Sequence, residues 1–312
     1  MNNTRILIET EGLTHKEWLE YRRMGVGGSD ASVLLGINQW KSELELWLEK
    51  TGQSENQEND NEPMQWGRIM EAVIRSHFQE VTGKKVVEVK AIMQHTEYPF
   101  MLANIDGLTE DDQGNPAVLE IKTASEYKRS QWEEDIPSTY MVQIQHYLCV
   151  TELAKAYVAV LIGGNTFQLY EVDADEEIQR MLIDAEANFW NKVITNTRPE
   201  MDGSDAAKEL LDKTYQGGIK ETVSLPDDAR VYIEQYFEAS VEEDNAKAKK
   251  QEASNKIKEL MGDHNKASCG EHTVSWTPVS SERLDTKALK AEQPDIYMKY
   301  IKNSSSRRFT IK

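Results

Sequence analysis

Asp106, Glu120 and Lys122 carry the strongest chemical signal in this chain. Glu120 and Lys122 lie in the run Ala117–Thr123, among Val118, Leu119 and Ile121. Residues two apart on a strand share a face, so the two side chains point the same way. Asp106 closes the apolar run Phe100–Ile105. Asp106-Gly107 and an acidic stretch ending in Gly114-Asn115-Pro116 separate it from the second run. That is hairpin chemistry, and it sets Asp106 beside Glu120. Carboxylate oxygens are the hard ligands that Mg2+ or Mn2+ takes. A lysine beside such a metal can position and deprotonate water, its pKa lowered by nearby cations. Glu-x-Lys alone is weak, because a solvated strand face gives the same text. The apolar strand around it gives it weight, and Glu71 adds a third carboxylate.

Glu71 sits on the clearest helix, Met64–Val81. There Trp66, Ile69, Met70, Val73, Ile74, His77 and Phe78 recur at helical spacing and predict one buried stripe. Earlier, Thr14 with Glu17 forms a capping box for a helix to Arg23. Gly25–Ser32 is a glycine-rich turn leading into a short apolar helix, Val33–Leu35, with Ser29 as its cap. Ser42–Lys50 is a further helix. Residues 52–63 are polar and aperiodic, and read as a mobile loop. Strands are expected at Lys85–Val89, Phe100–Ile105 and Ala117–Thr123. Ser138–Val150 is helical, Ala156–Ile162 and Gln168–Val172 form a second hairpin, and Asp175–Thr195 is a long helix.

The fold class is therefore α/β (α+β), with helices flanking one mixed central sheet of four or five strands. Residues 1–200 form this core, and residues 201–312 a charged C-terminal arm with a small β appendage. In the arm, Asp227–Met261 is nearly all polar through its middle and predicts a solvent-facing hairpin or coiled arm. His272–Pro278 and Arg308–Lys312 are strand candidates, with short helices near Thr286–Glu292 and Pro294–Lys302.

With 36 Lys and Arg against 54 Asp and Glu, the formal charge of this 312-residue chain is −18. A generally basic nucleic-acid coat is excluded, whereas a local basic groove is not. Two cysteines, Cys149 and Cys269, exclude a disulfide framework and a four-cysteine cluster within one chain. The N-terminus lacks the pattern of a signal peptide, and no apolar run is long enough for a membrane span. A cytoplasmic protein with no membrane contact is the expectation.

Glu71, Asp106 and Glu120-Ile121-Lys122, in that order, resemble the active-site signature of the PD-(D/E)xK nucleases, which have a restriction-endonuclease-like core. Trp18–Arg23, Gly25–Ser32, Trp66-Gly67 and Tyr140–Gln145 narrow the resemblance to YqaJ-type phage recombinases, relatives of lambda exonuclease. It covers residues from about 14 to 172. The resemblance implies a metal-dependent exonuclease that degrades linear duplex DNA 5′→3′ and leaves 3′ overhangs for recombination by single-strand annealing. It implies Asp106, Glu120 and Glu71 as metal ligands, Lys122 as the residue positioning the water, and Gln143 as its support. Two Mg2+ ions per site, or Mn2+, would stabilise the attacking and leaving oxygens. Arg22 or Arg23, with Ser29, would hold the 5′ phosphate, and Asn104 falls where the family can place a small polar phosphate ligand.

The resemblance further implies a ring-shaped homo-oligomer, a trimer or a tetramer, encoded by a phage or prophage and acting in a bacterial cytoplasm. Its partners would be duplex DNA ends and a single-strand annealing protein of RecT or Bet type. A RecB-like nuclease of different polarity, or a non-catalytic end-binding scaffold on the same fold, are the alternatives. Other residues have plainer readings. Gln143 and Gln145 are two apart on a helix, so at most one faces the site. Tyr147 reads as a core aromatic on the Gln143 face, and His77 as a hydrogen-bonded core histidine. Trp40 and Trp47 read as packing, and Lys128, Arg129 and Trp132 as a helix face or a DNA-backbone track.

Overall fold

The structure is a computed structural model and describes residues 3–54, 62–302 and 307–311. The expected loop at 52–63 falls largely outside them. The chain divides into two compact units, Met1–Thr214 and Tyr215–Lys312.

The first unit runs β1 (Thr4–Glu9), α1 (His15–Arg22), β2 (Val26–Gly27), α2 (Gly28–Leu34), α3 (Glu43–Lys50) and α4 (Glu62–Thr82). It continues through β3 (Ala91–His95), β4 (Met101–Ala103), β5 (Gly107–Glu110), β6 (Pro116–Ala124), α5 (Arg129–Glu134) and α6 (Ser138–Thr151). It ends with β7 (Lys155–Ile162), β8 (Thr166–Asp173), α7 (Glu176–Ile194) and α8 (Asp205–Thr214). In place of one sheet of four or five strands there are two of four, ordered β1-β3-β4-β2 and β5-β6-β7-β8. Both are mixed: β2 pairs parallel with β4, and β6 parallel with β7.

Strand β6 is buried on both faces, which explains its near-continuous apolar text. Its odd-numbered residues Ala117, Leu119 and Ile121 pack with Ile74 and Phe78 of α4. Val118 faces the other way, in the cluster with Ile144 and Leu148 of α6. Glu120 and Lys122 share the parity of Val118, so both stand on the α6 face.

Several expectations are corrected. The α4 stripe splits: Ile74 and Phe78 are buried, whereas Trp66, Ile69 and Val73 are more than half exposed. Helical periodicity finds the helix, but two adjacent apolar rows compete and only one meets the sheet. His77 is not a core residue; it is exposed, faces Glu80 and sits edge-on to Phe167. Residues 85–89 are not a strand; Val87 makes an isolated bridge to Leu108, and the strand is β3. The first hairpin is β5–β6, not 100–105 with 117–123, because β4 joins the other sheet.

Ser29 does not cap α2. Gly27 is the cap residue, and the Asp30 carboxylate three positions on accepts from its N–H at 3.0 Å. Trp47 is packed and donates its indole N–H to the Lys192 carbonyl, whereas Trp40 is three-quarters exposed. Trp132 is buried and Arg129 pairs with Glu126, while Lys128 is exposed over the Trp40 ring.

In the second unit, α9 (Ala229–Met261) is one continuous 33-residue helix rather than a hairpin, with only Met261 buried. Pairs four residues apart, Glu243–Lys247 among them, support its polar surface. Strands β9 (Lys266–Cys269) and β10 (His272–Ser275) form a hairpin, followed by α10 (Thr286–Glu292) and α11 (Pro294–Tyr300). Residues 307–311 are not a strand. Among the described residues no helix is long and apolar enough to cross a membrane.

Candidate active site

Register builds the site. Gly107 pairs with Leu119, and continuing that antiparallel ladder by one residue sets Asp106 opposite Glu120. The Asp106 Oδ2 accepts from the Ile121 N–H at 2.7 Å, which locks it against β6. The Lys122 Nζ lies 2.7 Å from Glu120 Oε1 and donates to Gln143 Oε1 at 3.1 Å. The Gln143 amide N–H donates both to Glu120 Oε1 at 3.0 Å and to the Tyr147 hydroxyl at 2.9 Å. Gln143 therefore ties the acid to the lysine from α6. Gln145 faces away, bridging the Asp173 carbonyl and the Asp175 N–H.

Charge is concentrated here at low exposure. Burial and then the neighbouring Asp106 push Glu120 up to about 8. The same two causes push Glu71 up to about 7. Burial also raises Asp106, against the opposing pull of Lys122. For Lys122, burial works downward, but Glu120 and Asp106 prevail and its pKa stands above the usual lysine value. The groups nearest its ammonium are anions, which favour the charged form.

These groups fit a cation. The second oxygen of Glu120 is buried and has no hydrogen-bond partner among the described residues, an expensive state for a carboxylate. Glu120 and Asp106 repel each other, and oxygen-only donors suit a hard divalent ion. The cage is not preassembled: among the described residues, no three His, Cys, Asp or Glu side chains already stand in a metal-binding group. Lys122 and Gln143 occupy the first oxygen of Glu120, and Glu71 acts on the cluster through space.

One cavity of about 430 Å³ joins this cluster to the glycine-rich segment; Glu71, Asn104, Asp106, Glu120, Lys122 and Gln143 line it. Arg22, Gly27, Gly28 and Ser29 line it too. Arg22 donates to the Ser29 hydroxyl at 2.8 Å, and its guanidinium lies 4.8 Å from the Trp18 ring centre. Arg23, the residue capping α1, is exposed and lies outside the cavity lining. Helix α2 reaches the cluster closely: a Cβ on Gly28 would stand 2.5 Å from the Tyr147 ring and 3.1 Å from Gln143 Cγ.

Sequence reasoning missed three residues of this site. Arg75 of α4 reaches toward the Asp106 carbonyl at 3.4 Å and pairs with Glu88. Tyr140 receives the Lys122 ammonium over its ring at 5.1 Å. Asp30 was legible, because an acid three residues after a cap position is a capping-box signature.

A YqaJ-like viral recombinase domain matches residues 17–154, the stretch holding every residue of this cluster. The uncharacterized protein YqaJ of Bacillus subtilis (strain 168) is 42% identical, over 98% of this chain and 97% of its own length. The chain belongs to the YqaJ family. Among solved structures, an alkaline exonuclease from Laribacter hongkongensis superposes with a TM-score of 0.50 at 18% identity. That match covers 58% of this chain and 93% of the other, and it shows that this YqaJ-family chain has the restriction-endonuclease-like fold.

Proposed function

We propose that the chain is a metal-dependent exonuclease that digests linear duplex DNA from the 5′ end and leaves 3′ overhangs for annealing. The observation that carries this reading is that one cavity is lined both by the acid–lysine cluster and by the Arg22–Ser29 pair. A terminal phosphate on Arg22 and Ser29 would direct the next phosphodiester toward Asp106 and Glu120. A strand held in that order enters by its 5′ end.

Asp106 and Glu120, with Glu71 alongside, would hold Mg2+ or Mn2+, two ions in the complete site. The metal would supply positive charge that stabilises the attacking and leaving oxygens of the displaced phosphodiester. The chain's own residues do the rest. Lys122 orients the attacking water through its ammonium, and Gln143 fixes both Lys122 and Glu120. Arg22 and Ser29 bind the terminal phosphate by charge-assisted hydrogen bonds. Asn104 adds a polar group to the wall between them.

The first unit carries catalysis in this reading, and the second serves oligomer or partner contacts. A ring-shaped homo-oligomer, a trimer or a tetramer, would keep the enzyme on its DNA. A single-strand annealing protein of RecT or Bet type would take up the exposed 3′ strand. The setting is a bacterial cytoplasm and the gene that of a phage or prophage.

The test is digestion of a duplex labelled at either end, in Mg2+ and in EDTA, beside Lys122→Ala. Mg2+-dependent loss of label from the 5′ end, absent in the variant, is expected. DNA ends bound but undigested under all metals would overturn the enzyme reading.

A further inference from the structure

Asp30 is a buried acid that the chemistry above does not use, and it stands where an acid ought to harm phosphate binding. Its Oδ1 lies 3.8 Å from the Arg22 guanidinium. Left to themselves, Arg22 and Asp30 would close into a neutral pair, and an incoming phosphate would have to compete with a carboxylate already in place.

The structure supplies a third charge from far away in the sequence. The Lys50 Nζ, at the end of α3, lies 2.7 Å from Asp30 Oδ2, and both side chains are about 95% buried. The same ammonium donates to the Arg22 carbonyl at 3.0 Å. The Asp30 Oδ2 also accepts from Gly27 N–H. Asp30 is thereby held to Lys50 and to the backbone of the turn. Lys41, the next cation near Asp30, is matched by Glu49 at 2.6 Å.

We propose that Lys50 is a positioning residue of the 5′-phosphate pocket: it occupies Asp30 as a buried counter-ion and holds the Arg22 backbone, so that the Arg22 guanidinium is presented to a phosphate beside Ser29. This rests on the reading of Arg22 and Ser29 as the 5′-phosphate site and adds the device that makes the pocket attractive to an anion. A buried pair with both charges present is costly to break on one side only, and here breaking it hands Asp30 to Arg22.

The experiment compares digestion rates of 5′-phosphorylated and 5′-hydroxyl duplex ends by the full chain. Lys50→Gln keeps hydrogen-bonding capacity and removes the charge. Its phosphate-to-hydroxyl rate ratio is expected to fall about tenfold, the factor carried by one misplaced charge-assisted hydrogen bond. Adding Asp30→Asn removes the competing carboxylate and is expected to restore most of the ratio, although no contact to phosphate has been added.

A purely structural role would lower both rates together, leave the ratio unchanged and show no rescue. That result, or a folded Lys50→Gln with the wild-type ratio, overturns the proposal. Should Lys50→Gln fail to fold, Lys50→Met, which keeps the volume and removes the charge, is measured in its place with and without Asp30→Asn: a lowered ratio that Asp30→Asn restores supports the proposal, and a wild-type ratio in the single variant overturns it. A wild-type enzyme that digests both ends equally removes the phosphate-pocket reading itself, a failure visible before any variant is made.

Discussion

Metal binding to this site should release protons, because the fold pushes up its carboxyls, Glu71 and Glu120 furthest. Glu71 stands at about 7 and Glu120 at about 8 without a cation. At pH 7 the metal-free site therefore holds on the order of one proton across these coupled groups. A divalent ion favours the ionised forms and expels it, because ligating carboxylates must be deprotonated. At pH 8.5, above both values, fewer protons remain to expel. The assay is isothermal titration of Mg2+ or Mn2+ in two buffers of different protonation enthalpy, at both pH values. Glu120→Gln should lower release at pH 7, since it removes the titrating group that stands highest. Tight metal binding with no proton release at pH 7 would refute the reasoning, because the carboxyls would then already be ionised.

The same shifts make the metal-free protein sensitive to alkali. Between about pH 4.5 and 8 the folded state holds protons that the unfolded chain has lost, so unfolding free energy falls as pH rises, by an amount on the order of a few kcal/mol. Melting curves in EDTA should decline from pH 5 to 8.5 and flatten in saturating Mg2+; equal declines in both would argue against these carboxyls. Gly28→Ala would force a methyl against the Tyr147 ring and Gln143, an overpacking that costs about 1–3 kcal/mol. A lowered melting temperature with slower digestion is expected, and an unchanged one would show that α2 and α6 are not tightly apposed.

The catalytic text was readable because its residues are close in sequence or periodic. Asp106, Glu120 and Lys122 lie within 17 consecutive residues, and strand parity alone put Glu120 and Lys122 on one face. Gln143 came through resemblance, and the structure shows what it touches. The hairpin partner was misread because Met101–Ala103 and Gly107–Glu110 are both short and apolar enough to pair with β6. Only the two-sheet arrangement decides between them. The α4 stripe was overcounted because periodicity reports how wide an apolar face is, not which part of it meets the sheet. Lys50 had no local signature: its partner is 20 residues upstream, and an isolated lysine at a helix end reads as an ordinary favourable charge at a C-terminus.

The parallel pairing of β6 with β7 bears on how the chain reaches its active form. Parallel neighbours cannot be joined by a tight turn; the chain must leave the sheet and cross back through a dozen or more residues. Here the return path is α5 and α6, and α6 carries Gln143. The strand bearing Glu120 and Lys122 is therefore seated between its neighbours only once the connection bearing their shared partner has been laid across it. Asp106 and Glu120 already face each other across the local β5–β6 hairpin, whereas Gln143 meets them only when the crossover is laid over the sheet, so the site is completed together with the sheet.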